Sequence, residues 1–121
     1  MDAAMAAAWR VTRPYASKVS VIRLPSVEAA SQVPDAWLDA VIIDALHFQN
    51  TVMEDIQAGR SKLRKGGLMI GDDYSEYYPG VELGVKAVFG PHHRVLGQTW
   101  WTIPDQIPSQ AKEAPCSAVC R

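Results

Sequence analysis

The spacing of apolar and polar positions changes several times along the 121-residue chain, and each change marks an element. Residues 3 to 9 are nearly all alanine, joined by Met5 and Trp9, which predicts a helix because alanine has the best intrinsic propensity. Pro14 ends it. Lys18 to Leu24 carries apolar residues at Val19, Val21, Ile22 and Leu24 and predicts a short strand, stopped by Pro25. Ser26 suits the N-cap of a short helix from Val27 to Gln32, closed off by Pro34. Leu38-Asp39-Ala40-Val41-Ile42-Ile43-Asp44 is continuously apolar at its centre and partly β-branched, as a strand covered on both faces in a parallel sheet reads.

A third helix is expected next. Thr51 with Glu54 three residues on fits a capping box, and Phe48, Val52, Ile56 and Leu63 recur at about helical spacing. Lys62, Arg64 and Lys65 suit a helix C-terminus, and Gly66-Gly67 supplies a left-handed stop. Leu68-Met69-Ile70 is a second buried strand that runs into Gly71-Asp72-Asp73-Tyr74. A loop with Pro79-Gly80 leads to a helix from Val81 to Phe89, with Val81, Val85 and Val88 on one stripe and Gly90-Pro91 at its end. Arg94 to Ile103 is strand-like, and Gly97 is placed to fold it into a tight hairpin. Strands and helices thus alternate, which implies an α/β fold with right-handed crossovers and a mostly parallel sheet.

Composition narrows the function classes. Hydrophobic residues at 48% and charged residues at 21% are ordinary for a globular domain, and the length holds one domain. A net charge of -1 leaves no footprint for nucleic acid or an anionic membrane surface. No apolar run approaches the roughly 20 residues that span a bilayer. The acidic, alanine-rich start lacks the basic opening of a secretory signal. Cys116 and Cys120 form neither a disulfide framework nor a complete metal set, so the chain reads as cytoplasmic. Three prolines and scattered polar residues from Pro104 onward predict a flexible C-terminal tail, 104–121, after a domain spanning 1–103.

Chemistry concentrates where the two buried strands end. Ligands of open α/β sheets bind beyond the carboxyl ends of the strands. Asp44 closes the first strand, and Asp72 and Asp73 close the second. If the strands are neighbours, three acids converge on one edge and raise each other's pKa unless something positive intervenes. A hard divalent cation such as Mg²⁺ is one resolution, and hydrogen bonds from loop amides or a substrate amine are another. Aspartates after strands also serve as simple turn formers or helix caps. His47, three residues past Asp44, has the chemistry of a general base near neutral pH, or of a loop histidine bonded to backbone. Tyr74, Tyr77 and Tyr78 either line an acceptor pocket or cover the end of the sheet.

The run from Leu38 to His47, Asp55-Ile56, Lys62 to Gly67, Gly71 to Tyr74, Pro79-Gly80-Val81 and Ala87-Val88, in that order and spacing, resembles the class I S-adenosylmethionine-dependent methyltransferases. Within them it is similar to the small-molecule methyltransferase group and, more distantly, to the macrocin-type sugar O-methyltransferases, in which an aspartate after one strand and an Asp-Asp pair after the next bind Mg²⁺. The likeness runs from about Ala6 to Trp101.

The resemblance implies an α/β fold: a partial Rossmann-like methyltransferase sheet, mostly parallel, with helices on both faces. It implies methyl transfer from S-adenosylmethionine to a small-molecule oxygen or nitrogen acceptor, with Mg²⁺ as a second cofactor candidate. Asp44 then matches the aspartate near the transferred methyl, and His47 matches the family histidine, making both catalytic candidates. Ser26 and Val27, with Asp44, fall where the family contacts the cofactor. Asp44, Asp72 and Asp73 match the metal-binding set. Leu46 stands where the sugar enzymes carry a second aspartate proposed as base. The family's first two strands and their glycine-rich loop have no counterpart before Ala6, so the domain is expected to be partial and one sheet edge exposed. That edge is a candidate homodimer surface. The alternative to an enzyme is a truncated, non-catalytic remnant acting as a binding or dimerisation module.

Overall fold

A computed structural model describes residues 2–108. Helix α1 spans Ala3–Thr12 and is capped by the Asp2 side chain, which accepts a hydrogen bond from the Met5 N–H at 2.9 Å. Pro14 does end it, in a 3₁₀ turn over Arg13–Tyr15. The segment from Lys18 to Leu24 is not a strand. No described strand lies beside it to receive its backbone hydrogen bonds, and an unpaired strand has nothing to hold its extended form. Val19, Val21, Ile22 and Leu24 stay more than a third exposed. Helix α2 spans Ser26–Ser31, with Pro25 rather than Ser26 at its N-cap.

Strand β1, Leu38–Ile43, leads into α3, Gln49–Arg60. The capping box is a correction: the N-cap is Phe48, whose carbonyl accepts the Val52 N–H at 3.0 Å, and Thr51 lies inside the helix. The Thr51 hydroxyl instead donates back to the Phe48 carbonyl at 2.9 Å. The basic run is a second correction. Strand β2 takes up Leu63–Gly71, so Arg64 and Lys65 are strand residues. The register jumps from Leu38↔Leu63 to Ala40↔Leu68, and Gly66, at a φ of 74°, turns the chain inside that bulge instead of stopping a helix. Lys62 pairs with Asp35 and Arg64 with Asp39 across the same end of the sheet.

Helix α4 covers Pro79–Phe89, and the expected hairpin forms as β3, Arg94–Leu96, and β4, Thr99–Thr102, around Gly97 at a φ of 63°. The sheet order is β1-β2-β4-β3, with β1 and β2 parallel and both other pairings antiparallel. The fold is α/β with a mixed sheet. The hairpin lays β4 back against β2, which is why only the first pair is parallel.

Val52 and Ile56 of α3, Val81, Val85 and Phe89 of α4, Met69 of β2, Trp100 of β4 and Ile107 form the core on one side of the sheet. Gly59 lets α3 approach β1, since a Cβ there would stand 2.9 Å from Val41 Cγ1. On the opposite side, paired positions run Ile42, Ile70, Trp101, Arg94 across the four strands. Ile42 is 72% exposed, so β1 is covered on one face only among the described residues. The Arg94 guanidinium sits 5.4 Å from the Trp101 ring centroid on that side.

The boundary expected at residue 103 is also corrected. Pro104–Gln106 forms a 3₁₀ turn against β2, and Ile107, 5% exposed, closes the core. An apolar side chain placed by Pro104 outweighs the turn-forming composition around it. The rest of the expected tail, with Cys116 and Cys120, lies outside the described residues. No helix among the described residues is long and apolar enough to cross a membrane.

Candidate functional site

Ile43 of β1 pairs in parallel with Gly71 of β2, so the loops that follow leave the sheet side by side. The Asp72 N–H extends this ladder by donating to the Ile43 carbonyl at 3.3 Å. Gly71 is required here by space: a Cβ would overlap the indole of Trp100, which lies across it. Gly80 does the same for the neighbouring loop. A Cβ there would collide with the His47 carbonyl, so glycine lets the start of α4 press against residues 47 to 49.

These approaches bring three side chains together. One donor atom each from Asp44, His47 and Asp73 lies within 4.8 Å of the others. His47 Nε2 is 2.8 Å from Asp73 Oδ2, and both side chains are about two-thirds to three-quarters covered, at 33% and 27% exposure. The imidazole stacks on Tyr78, with centroids 4.4 Å apart and planes inclined by 28°. Asp73 has a φ of 60°. Aspartate tolerates this left-handed conformation better than most residues, and here it turns the side chain toward the β1–α3 loop. Asp72 is exposed; it lines the same small recess as Asp44 and His47, but its carboxylate is not one of the converging three.

Of the two remaining expected site residues, Ser26 lies on the other flank of Asp44. Ser26, Asp44, Ala45 and Asp55 line a groove of about 320 Å³ with Ile22, Ala29 and Val33. Val27, half exposed, does not line it. Asp55 belongs to the sequence pattern of the resemblance, which gave it no role at the site. Burial raises its pKa above the ordinary carboxylate value, while a hydrogen bond from Ser26 works in the opposite direction and the Glu54 charge adds to the rise. Its other sequence signal was a position on a helix that starts beside the strand end.

The tyrosines divide the roles that sequence left open. Tyr78 supports His47. The Tyr74 N–H donates to the Gln98 carbonyl at 2.8 Å, tying the acidic loop to the hairpin turn, and its hydroxyl meets His93 Nε2 at 3.1 Å. His93 Nδ1 lies 2.9 Å from the Gly90 carbonyl, so Nδ1 donates and Nε2 accepts from the tyrosine. Burial pushes the His93 pKa down, the Gly90 bond opposes this, and the Lys86 charge reinforces it. Burial likewise raises the Tyr74 pKa, with Lys86 opposing. Tyr77 is exposed.

Carboxylates and an imidazole at the carboxyl ends of adjacent parallel strands, beside an apolar groove, suit binding and proton handling of a small organic molecule. No curated protein and no solved structure gives a significant match to the chain. A methyltransferase-domain family matches residues 2–74, which takes in α1, the groove and the loops bearing Asp44, His47 and Asp73. The match covers more than half of the sequence and agrees with the class I pattern and the α/β sheet, so the chain belongs to this methyltransferase-domain family.

Proposed function

We propose that the chain transfers a methyl group from S-adenosylmethionine to an oxygen or nitrogen of a small-molecule acceptor. The observation that carries this reading is the position of Asp44. It lines the groove with Ser26 and also reaches the cluster with His47 and Asp73. One residue thus links a place for the donor to a place for proton chemistry. The fit to the donor rests on that groove: apolar walls from Ile22, Ala29 and Val33 suit a flat ring, and the Ser26 hydroxyl and Asp44 carboxylate offer it hydrogen bonds. When bound, S-adenosylmethionine supplies a methyl group activated on a positively charged sulfur.

The chain's own contribution is chiefly positioning, which holds acceptor and methyl in line. Asp44, at the mouth of the groove, offsets positive charge on the donor. His47 accepts the proton that the acceptor loses.

Asp44 and Asp73 also suit a hard cation, because two carboxylates with water complete the oxygen set that Mg²⁺ prefers. Asp72, which lines the same recess as Asp44, offers a third carboxylate. A bound Mg²⁺ would lower the cost of removing a proton from an acceptor oxygen.

Calorimetric titration of the protein with S-adenosylmethionine, with and without Mg²⁺, tests the proposal. Saturable heat in either condition supports it, and a larger response with Mg²⁺ supports the assisted form. Heat at the dilution baseline in both would leave a non-catalytic binding module as the reading.

A further inference from the structure

The methyl-transfer reading uses His47 as a base but does not say which of its nitrogens carries the lone pair. The surroundings of the ring decide this. Asp73 Oδ2 lies 2.8 Å from Nε2, and a carboxylate can only accept a hydrogen bond. The hydrogen must therefore sit on Nε2. In a neutral ring the other nitrogen, Nδ1, is then bare and basic. The stack on Tyr78 fixes the tilt of the ring, and the contact of the His47 carbonyl with Gly80 fixes its backbone.

From this arrangement we infer that Asp73 is a positioning residue, which holds His47 in the Nε2–H tautomer and leaves Nδ1 as the atom that takes the acceptor's proton. The inference rests on the methyl-transfer reading for its chemistry, but its geometry stands apart from it. In the step, the acceptor's lone pair forms a bond to the methyl carbon. The carbon–sulfur bond breaks and leaves its electron pair on sulfur. The acceptor's proton moves to Nδ1, and the Asp73 carboxylate stabilises the imidazolium so formed. Charges balance: the positive charge that leaves sulfur reappears on the ring.

Asp73 occupies left-handed backbone, so glycine can replace it without backbone strain while removing the carboxylate. Asparagine keeps an acceptor oxygen and tolerates the same φ. The test is a long-range ¹H–¹⁵N spectrum of the histidine rings, recorded on chelator-treated protein without S-adenosylmethionine, at a pH above the ordinary histidine range. The wild type should show His47 as one species, protonated at Nε2 and bare at Nδ1. Asp73→Gly should lose that single tautomer and give an average of the two, and Asp73→Asn should restore the bias.

An Nδ1–H ring or an imidazolium in the wild type would overturn the inference. So would an Nε2–H ring that persists unchanged in Asp73→Gly. Because no donor or acceptor is present, the outcome does not depend on whether the calorimetric titration succeeds. Asp73→Gly can satisfy this test even if S-adenosylmethionine never binds, and binding can occur with the tautomer wrong.

Discussion

Trp9 and Trp100 are the same side chain in two regions that the fold treats differently. Trp100 is 1% exposed and lies between Gly71 and Phe89, whereas Trp9 is 51% exposed on α1. The contrast holds region by region. Every buried hydrophobic residue described lies between Val52 and Ile107, and neither α1 nor α2 has a buried residue. Apolar content is therefore not what separates the two regions. Val11, Tyr15, Val27 and Trp37 are as hydrophobic as many core residues, yet all stay at least half exposed. What the second region has is a sheet whose backbone is paired, against which α3 and α4 can close. The groove assigned to the methyl donor lies across the seam, with Ile22 to Val33 on the loosely held side and Asp44 to Gly59 on the packed side.

The largest effect expected from this contrast is in the packed region. Trp100→Ala should cost about 3–5 kcal/mol, much of the stability of a small domain, and should be read by denaturant unfolding. A cost near zero would mean that the core is not where the structure puts it. Next comes Gly80→Val, which forces side-chain atoms into the 47 to 49 backbone. It should destabilise by about 1–3 kcal/mol and disturb His47 more than any N-terminal residue in an amide spectrum.

A smaller effect attaches to His93. Its folded pKa is lowered, so the unfolded state binds protons more readily. The stability tied to the neutral ring is present above the ordinary value of about 6.5 and is lost as pH falls through the lowered folded value. Thermal melts on either side of that value should show a fall toward acid that His93→Gln makes shallower. Equal slopes would remove the half-buried Tyr74–His93 pair from the account. The smallest effect is Trp9→Ala, expected to stay within about 0.5 kcal/mol of wild type. A cost like that of Trp100→Ala would show that α1 has a packing partner.

Legibility in the sequence followed the same division. Leu38 to Asp44 and Leu68 to Gly71 were readable because a paired, half-buried strand must be apolar in a short run, and the chain that leaves them must turn. That placed Asp44, Asp72 and Asp73 at one edge before any coordinates. Val19 to Leu24 is similarly apolar but has no neighbouring strand among the described residues, and strand pairing is a non-local property that a local pattern does not encode. Lys62 to Gly67 failed for a related reason, since a bulge with Gly66 at positive φ and a helix stop call for the same residue. Which aspartate of the pair turns inward was also hidden. It depends on the left-handed φ of Asp73, and adjacent aspartates look alike until the backbone direction is known. Tyr78 and Gly80, which hold His47 from the far side, sit at the N-cap and first turn of α4, whose return to the site follows from the packing of α4 on α3.

The most direct test of the account is an amide ¹H–¹⁵N spectrum titrated with S-adenosylmethionine. The account predicts shifts centred on Ser26, Asp44, Ala45 and His47, with little change at His92, Arg94 and Gln106, which line a second groove. Shifts confined to that second groove, or none anywhere, would contradict it.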